Sequence, residues 1–146
     1  MSSVSTYLNF NGNTAEAFEF YKSVFGTDFA GPVMRMSDIP PTEGMPPVAE
    51  ADKNMVMHVA LPILGGHMLM GTDTSESCGG RVATFGNNVH ISLLPDTRKE
   101  TDQLFSALSE GGTVTMPLAD MFWGDYFGSL TDKFGVHWMF NCSEKK

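Results

Sequence analysis

The stretch LNFNGNTAEAFEFYKSVFG (Leu8–Gly26) has an echo further along the chain, in VHISLLPDTRKETDQLFSALSEGG (Val89–Gly112). The first stretch is entered through VSTYLNF (4–10), whose alternation and β-branched or aromatic residues predict a strand. A helix comes next. Asn13 is placed to cap it, Glu16 stands three residues on in a capping-box relation, and Gly26 comes after the last apolar turn. Ala17, Phe20, Tyr21, Val24 and Phe25 fall on one face at helical spacing. In the second stretch VHISLLP predicts a strand and a Thr97/Glu100 capping box opens a helix. Its apolar face is Leu104, Phe105 and Leu108, and Gly111-Gly112 stops it. A shift of 84 lays Glu16 on Glu100, Tyr21 on Phe105, Ser23 on Ala107 and Val24 on Leu108.

The segments C-terminal to each helix repeat too. After the first come DFAGPVMRM (28–36), interrupted at Gly31-Pro32, then MVMHVALPI (55–63) and GHMLMGTD (66–73), joined by a turn at LGG. After the second come TVTMPLADMF (113–122), DYFGSLTD (125–132) and VHWMFN (136–141), split by turns at Trp123-Gly124 and DKFG. The element order predicts an α+β fold of two tandem βαβββ units, about 1–73 and 88–146 with a linker at 74–87, in one domain of 1–146. SDIPPTEGMPPVAEADKN (37–54) holds two adjacent proline pairs and reads as a long loop, a form often used for lids and binding.

At 146 residues the chain needs no disulfide or metal to complete a core. Its net charge of −8 is spread along the chain without a basic cluster, which excludes the electrostatic footprint of nucleic-acid binding. No apolar run is long enough to span a membrane and the N-terminus lacks a signal-peptide pattern, so a cytoplasmic protein is expected. Cys78, in a loop, and Cys142, closing an apolar strand, read as free thiols. The 11 methionines suit either core gap-filling or an adaptable apolar cavity.

His90 alternates with Ser92 and Leu94, opposite Val89, Ile91 and Leu93. It reads as a half-buried histidine bonded to a backbone carbonyl or as a general base, since imidazole changes charge near neutrality. His58 sits among valines and helps fill a strand face, and His67, after a Gly-Gly turn, is expected in solvent. Met139 and Asn141 share a strand face with His137, while Val136 and Phe140 share the other with Trp138. Alternation does not say which face is inside. Phe122, Trp123, Tyr126 and Trp138 are candidates for an aromatic wall or for core, and Trp123 is the least core-like. Asp120 and Asp125 flank it, as an acid–base pair or as solvated loop charges. Gly124, Gly128 and Gly135 read as turn or bulge positions, with Asp132 bonding the backbone of its own turn.

The pattern F-x-G-x-x-x-E-A-x-x-F-Y-x-x-V-F-G, with M-H-V-A-L-P-I and L-T-D-K-F-G-V-H-W, resembles the PhnB-like branch of the vicinal-oxygen-chelate superfamily. Glyoxalase I, bleomycin-resistance proteins and extradiol dioxygenases belong to that superfamily. The resemblance implies a glyoxalase-like cup of curled sheets, a homodimer, and a small organic ligand as partner. It also implies, in metal-dependent members, one ligand from the first and last strand of each unit. Those positions fall here on Thr6 (or Tyr7, one residue on), Met70, His90 and Met139. Only one of these is a competent ligand for a borderline divalent ion. The expectation is therefore a small-molecule-binding protein without the standard metal site and without a cofactor, with Trp123, Phe122, Tyr126, Asn9, Met70 and Trp138 contacting the ligand. The alternative is a metal-assisted lyase or isomerase in which His90 is base or ligand, with a divalent metal held by His90 and His58. Relatives of this branch sometimes carry a methyltransferase label, but no glycine-rich loop for a nucleotide-like cofactor is present.

Overall fold

A computed structural model describes residues 2–40, 44, 48–77 and 81–146, so that Cys78 and part of the proline-rich loop lie outside the described residues. The chain forms two units, one ending at Thr84 and one beginning at Phe85. The first contains β1 (Thr6–Phe10), α1 (Thr14–Phe25), β2 (Met34–Arg35), β3 (Val56–Pro62) and β4 (Met68–Asp73). The second contains β5 (Ile91–Leu93), α2 (Arg98–Ser109), β6 (Thr113–Asp120), β7 (Tyr126–Thr131) and β8 (His137–Cys142). Each is a βαβββ unit, and the fold is α+β. The sheets run β1-β4-β3-β2 and β5-β8-β7-β6, the first pair of each parallel and the others antiparallel. α1 and α2 begin 84 residues apart, at Thr14 and Arg98.

One face of each sheet is packed by its helix, and alternation along the strands divides the residues between the two faces. In the first unit Phe10, Val59, Leu61 and Leu69 turn inward to meet Ala17, Phe18 and Tyr21 of α1. Phe18 stands edge-on to both Phe10 and Tyr21, at 6.4 and 5.6 Å between ring centroids. The helix face predicted from spacing missed Phe18 and included Phe20, which is only half-buried. Gly71 is what lets α1 approach: a Cβ there would sit 2.5 Å from Phe18 Cε1. In the second unit Leu93, Leu130, Trp138 and Phe140 pack against Leu104, Phe105 and Leu108. Gly128 is a close-approach position as well, not the turn or bulge expected, since a Cβ would meet Leu118 and Phe105 at 2.9 and 3.0 Å. Gly124 and Gly135 do turn the chain, with φ of 96° and 93°.

The start of α1 departs from expectation. Asn13 is the N-cap residue but its side chain makes no cap bond. The acceptor comes instead from the last residue of β4: Asp73 Oδ1 takes the Gly12 and Thr14 N–H groups at 3.2 and 2.9 Å and the Thr14 hydroxyl at 2.6 Å. Its Oδ2 takes the Val56 N–H at 2.8 Å, where β3 enters the sheet with an irregular register against β2. Asp73 is 4% exposed, and these four donors stand in for the water it has lost. In the second unit the cap is local, as the sequence indicates: the Thr97 hydroxyl accepts from Glu100 N–H at 3.0 Å. Asp132 also bonds its own turn as expected, accepting from the Phe134 and Val136 N–H groups at 2.8 and 3.0 Å. No described helix is long and apolar enough to cross a membrane.

Urea unfolding separates the two caps. Asp73→Ala leaves four donors without their acceptor and should cost about 3 kcal/mol or more. Asn13→Ala should cost less than about 0.5 kcal/mol, below the ~1 kcal/mol usual for losing an N-cap side chain.

Candidate functional site

The face of each sheet turned away from its helix carries polar side chains together with the rings of Tyr7 and Phe127. In the first unit β1 lies beside β4 with Tyr7 opposite Met70 and Asn9 opposite Thr72, and β3 adds His58 and Ala60. Met34 of β2 pairs with His58. Thr6 is opposite the buried Leu69 and so belongs to the helix face, which makes Tyr7 the residue that stands beside Met70. The Thr6 hydroxyl meets His67 Nε2 at 2.8 Å, so His67 is half-buried and bonded rather than free in solvent. Tyr7 reaches across the sheet to His58, with Oη 3.1 Å from Nδ1 and the rings 5.7 Å apart. Burial raises the Tyr7 phenol pKa, the Thr72 hydroxyl pulling the other way. Its proton is held at neutral pH.

In the second unit the corresponding face holds Ser92 of β5, His137, Met139 and Asn141 of β8, and Phe127, Ser129 and Thr131 of β7. His90 lies just before β5, exposed, its ring 5.4 Å from that of His137. Neither His90 nitrogen is bonded among the described residues. His137 is fully engaged: Nε2 is 2.7 Å from the Gly86 carbonyl, which can only accept, so Nε2 carries the proton and Nδ1 faces the Thr131 hydroxyl at 2.8 Å. At the other end of the face Trp123 is held by three neighbours. Its Nε1–H donates to Asn141 Oδ1 at 3.4 Å, and its ring meets Phe127 and Phe122 edge-on at 5.8 and 5.0 Å. Phe122 is 98% exposed and Trp123 48%, unusual for such large rings.

Two of the expected wall residues sit elsewhere. Trp138 is fully buried between sheet and helix, its Nε1–H bonded to Asp132 Oδ2 at 2.9 Å, and it is a core residue. Tyr126 pairs with the buried Cys142 on the helix side, and its hydroxyl donates to Asp102 of α2 at 2.6 Å. The Arg98 guanidinium covers its ring at 4.6 Å and also binds Asp120. Asp125 accepts from Asn141 Nδ2 at 2.9 Å and lies 3.7 Å from Lys145 Nζ. With Asp120 on Arg98 and Asp125 on Asn141, the two carboxylates are not an acid–base pair. Phe127 was missed, although its alternation with Gly128 and Leu130 would have placed it opposite the core. Asn9 and Met70 do lie on the far face of their sheet.

The positions where the resemblance places a metal fit one poorly. The first and last strands contribute Tyr7 and Met70 in one unit and Ser92 and Met139 in the other, with His90 at the margin. Phenol, hydroxyl and thioether with one imidazole do not make a site for Zn²⁺, Ni²⁺ or Mn²⁺. Among the described residues no three His, Cys, Asp or Glu side chains converge to hold an ion. His58 already spends Nδ1 on Tyr7.

A family model described as 3-demethylubiquinone-9 3-methyltransferase matches residues 2–140. Protein YjdN of Escherichia coli K12 is 28% identical, with 98% of this chain and 97% of that protein covered. Protein PA1353 from Pseudomonas aeruginosa superposes with a TM-score of 0.82 at 36% identity over the whole of both chains. A Bacillus cereus PhnB protein, titled a putative 3-demethylubiquinone-9 3-methyltransferase, gives 0.73 at 26% identity over 97% of this chain and 99% of its own. A glyoxalase/bleomycin resistance protein/dioxygenase family enzyme from Burkholderia phytofirmans gives 0.62 at 17% identity over 95% and 98%, a likeness of fold alone. The chain belongs to the PhnB-like 3-demethylubiquinone-9 3-methyltransferase family, and its fold is that of the glyoxalase/bleomycin resistance proteins.

The Asp102 bond, with burial, pushes the Tyr126 phenol up to about 12. The folded state therefore holds this proton more tightly than the unfolded chain, a stabilisation present below pH ~10 and lost as pH rises through about 12. Ultraviolet titration of the phenols should show the last ionisation fall toward the ordinary value in Asp102→Asn.

Proposed function

We propose, from membership of this family, that the chain binds a small, largely aromatic organic molecule on the far face of its second sheet and does so without a metal. The arrangement at Trp123 carries the reading. A large exposed ring costs solvation unless something covers it, and this one is fixed in place by Asn141, Phe127 and Phe122 instead of folding into the core. Beside it Met139 offers a polarizable surface, while Ser92, Ser129 and Asn141 offer directional bonds. Binding rather than chemistry is what such a set does unaided, as expected of bleomycin-resistance relatives. A homodimer in the cytoplasm is the form in which we expect it to act.

Neither helix start is open to an anion, the group that helix N-termini usually bind. At α1 the Gly12 and Thr14 N–H groups are spent on Asp73, and at α2 the Arg98 and Glu100 N–H groups are spent on Glu144 and Thr97. A metal-assisted lyase or isomerase is the second reading. It draws on His90, which stands beside His137 with both nitrogens unbonded among the described residues.

Trp123 fluorescence tests the first reading against a panel of oxygenated aromatic compounds, with Trp123→Phe as the control that leaves only buried Trp138 as emitter. Saturable quenching should appear in the parent protein, and Trp123→Ala should weaken the same ligand about threefold to tenfold by calorimetry. No saturable change with any compound would remove the proposal. Metal content separates the second reading: protein purified without chelator or affinity-tag nickel should hold far less than one equivalent, unaltered in His90→Ala. Near one equivalent, lost in that variant, would favour the metalloenzyme.

A further inference from the structure

The first unit carries a pair that the second-sheet site does not use. Tyr7 Oη and His58 Nδ1 are 3.1 Å apart on the far face of the β1-β4-β3-β2 sheet. The nearby Thr72 hydroxyl donates to the Val56 carbonyl at 3.2 Å, and the Tyr7 phenol, which keeps its proton at neutral pH, faces the imidazole nitrogen. A phenol that donates to Nδ1 leaves neutral His58 with its proton on Nε2. That N–H has no partner among the described residues. Around it the face offers Met34, 39% exposed, and the half-buried Met70 and Ala60, with the Asn9 amide at the margin. No carboxylate shares this face among the described residues. The nearby charged groups are turned away, Arg35 to the Asn54 carbonyl at 2.6 Å and Asp73 into the helix side.

We propose that Tyr7 and His58 anchor a second small-molecule site, selective for a carboxylate or carbonyl oxygen carried on an apolar body. The oxygen accepts from His58 Nε2–H and from Asn9, and the apolar part lies along Met34, Ala60 and Met70. Tyr7 is the positioning residue: its hydrogen bond sets the imidazole tautomer and so the donor that the ligand meets. An ammonium group finds no anionic partner here, which gives the site a sign as well as a shape. The site depends neither on Trp123 nor on the second-unit ligand.

Long-range ¹H–¹⁵N spectra of the histidine rings test it, with benzoate as the probe and benzylamine as its cationic counterpart. His58 should show the Nε2–H tautomer in the parent protein and a mixture of tautomers in Tyr7→Phe, a conservative change whose amide spectrum reports that the fold is kept. Benzoate should shift the His58 ring and the Met34 and Met70 methyl signals, and benzylamine should not. Tyr7→Phe and His58→Gln should each weaken benzoate about threefold to tenfold, the loss expected for one hydrogen bond. An Nδ1–H tautomer for His58, no benzoate binding, or shifts confined to His137 and Trp123 would each overturn the proposal. The last result would leave the second-unit reading standing and remove only this one.

Discussion

Asp73 is the point on which the first unit depends. One carboxylate, 4% exposed, closes the start of α1, holds the Thr14 hydroxyl and receives the N–H with which β3 begins. Two elements distant in sequence, α1 and β3, are thereby tied to the end of β4. Because β4 is central, between β1 and β3, the tie also fixes which of its residues turn toward the helix. Leu69 and Gly71 go inward with Asp73, and Met68, Met70 and Thr72 go outward. A slip of one residue would exchange the two sets. In the second unit, where Thr97 caps the helix locally, the buried carboxylate is Asp132, which binds its own turn and the indole of Trp138.

The two faces of each sheet therefore differ in chemistry. Against the helices lie aliphatic and aromatic side chains with every buried side-chain nitrogen and oxygen partnered among the described residues. On the far faces lie methionine, serine, asparagine, tyrosine and histidine, residues that make directional contacts without carrying a fixed charge at neutral pH. Such a surface suits small organic molecules better than ions. The residues at the positions where the resemblance places a metal are of the same kind.

Much of this was legible in the chain. The two helices lie where the 84-residue echo put them, and Gly26, Thr97 and Asp132 act through local geometry that sequence displays directly. What was not legible depends on long-range partners. Asn13 looked like a cap because nothing nearby announces that an aspartate at the end of β4 will take its place. Tyr126 looked like a wall residue because Asp102, its partner, is on α2. Alternation split β8 correctly into His137, Met139, Asn141 and Trp138, Phe140, but period two is symmetric and cannot say which set is buried. The decision rests on α2 and on Gly128, where a missing side chain admits Phe105. Phe127 became visible only once that side was known.

The claim that the far faces, not the cores, receive ligand is tested most directly at the methionine methyl groups. Protein labelled with ¹³C at the methionine methyls places reporters on both sides: Met70 and Met139 on the far faces, and Met36, 7% exposed, in the interior. A bound oxygenated aromatic compound should shift Met70 or Met139, broaden with exchange and saturate, while Met36 stays fixed. Saturating shifts at Met36 with Met70 and Met139 unmoved would place the ligand in the core and contradict the account.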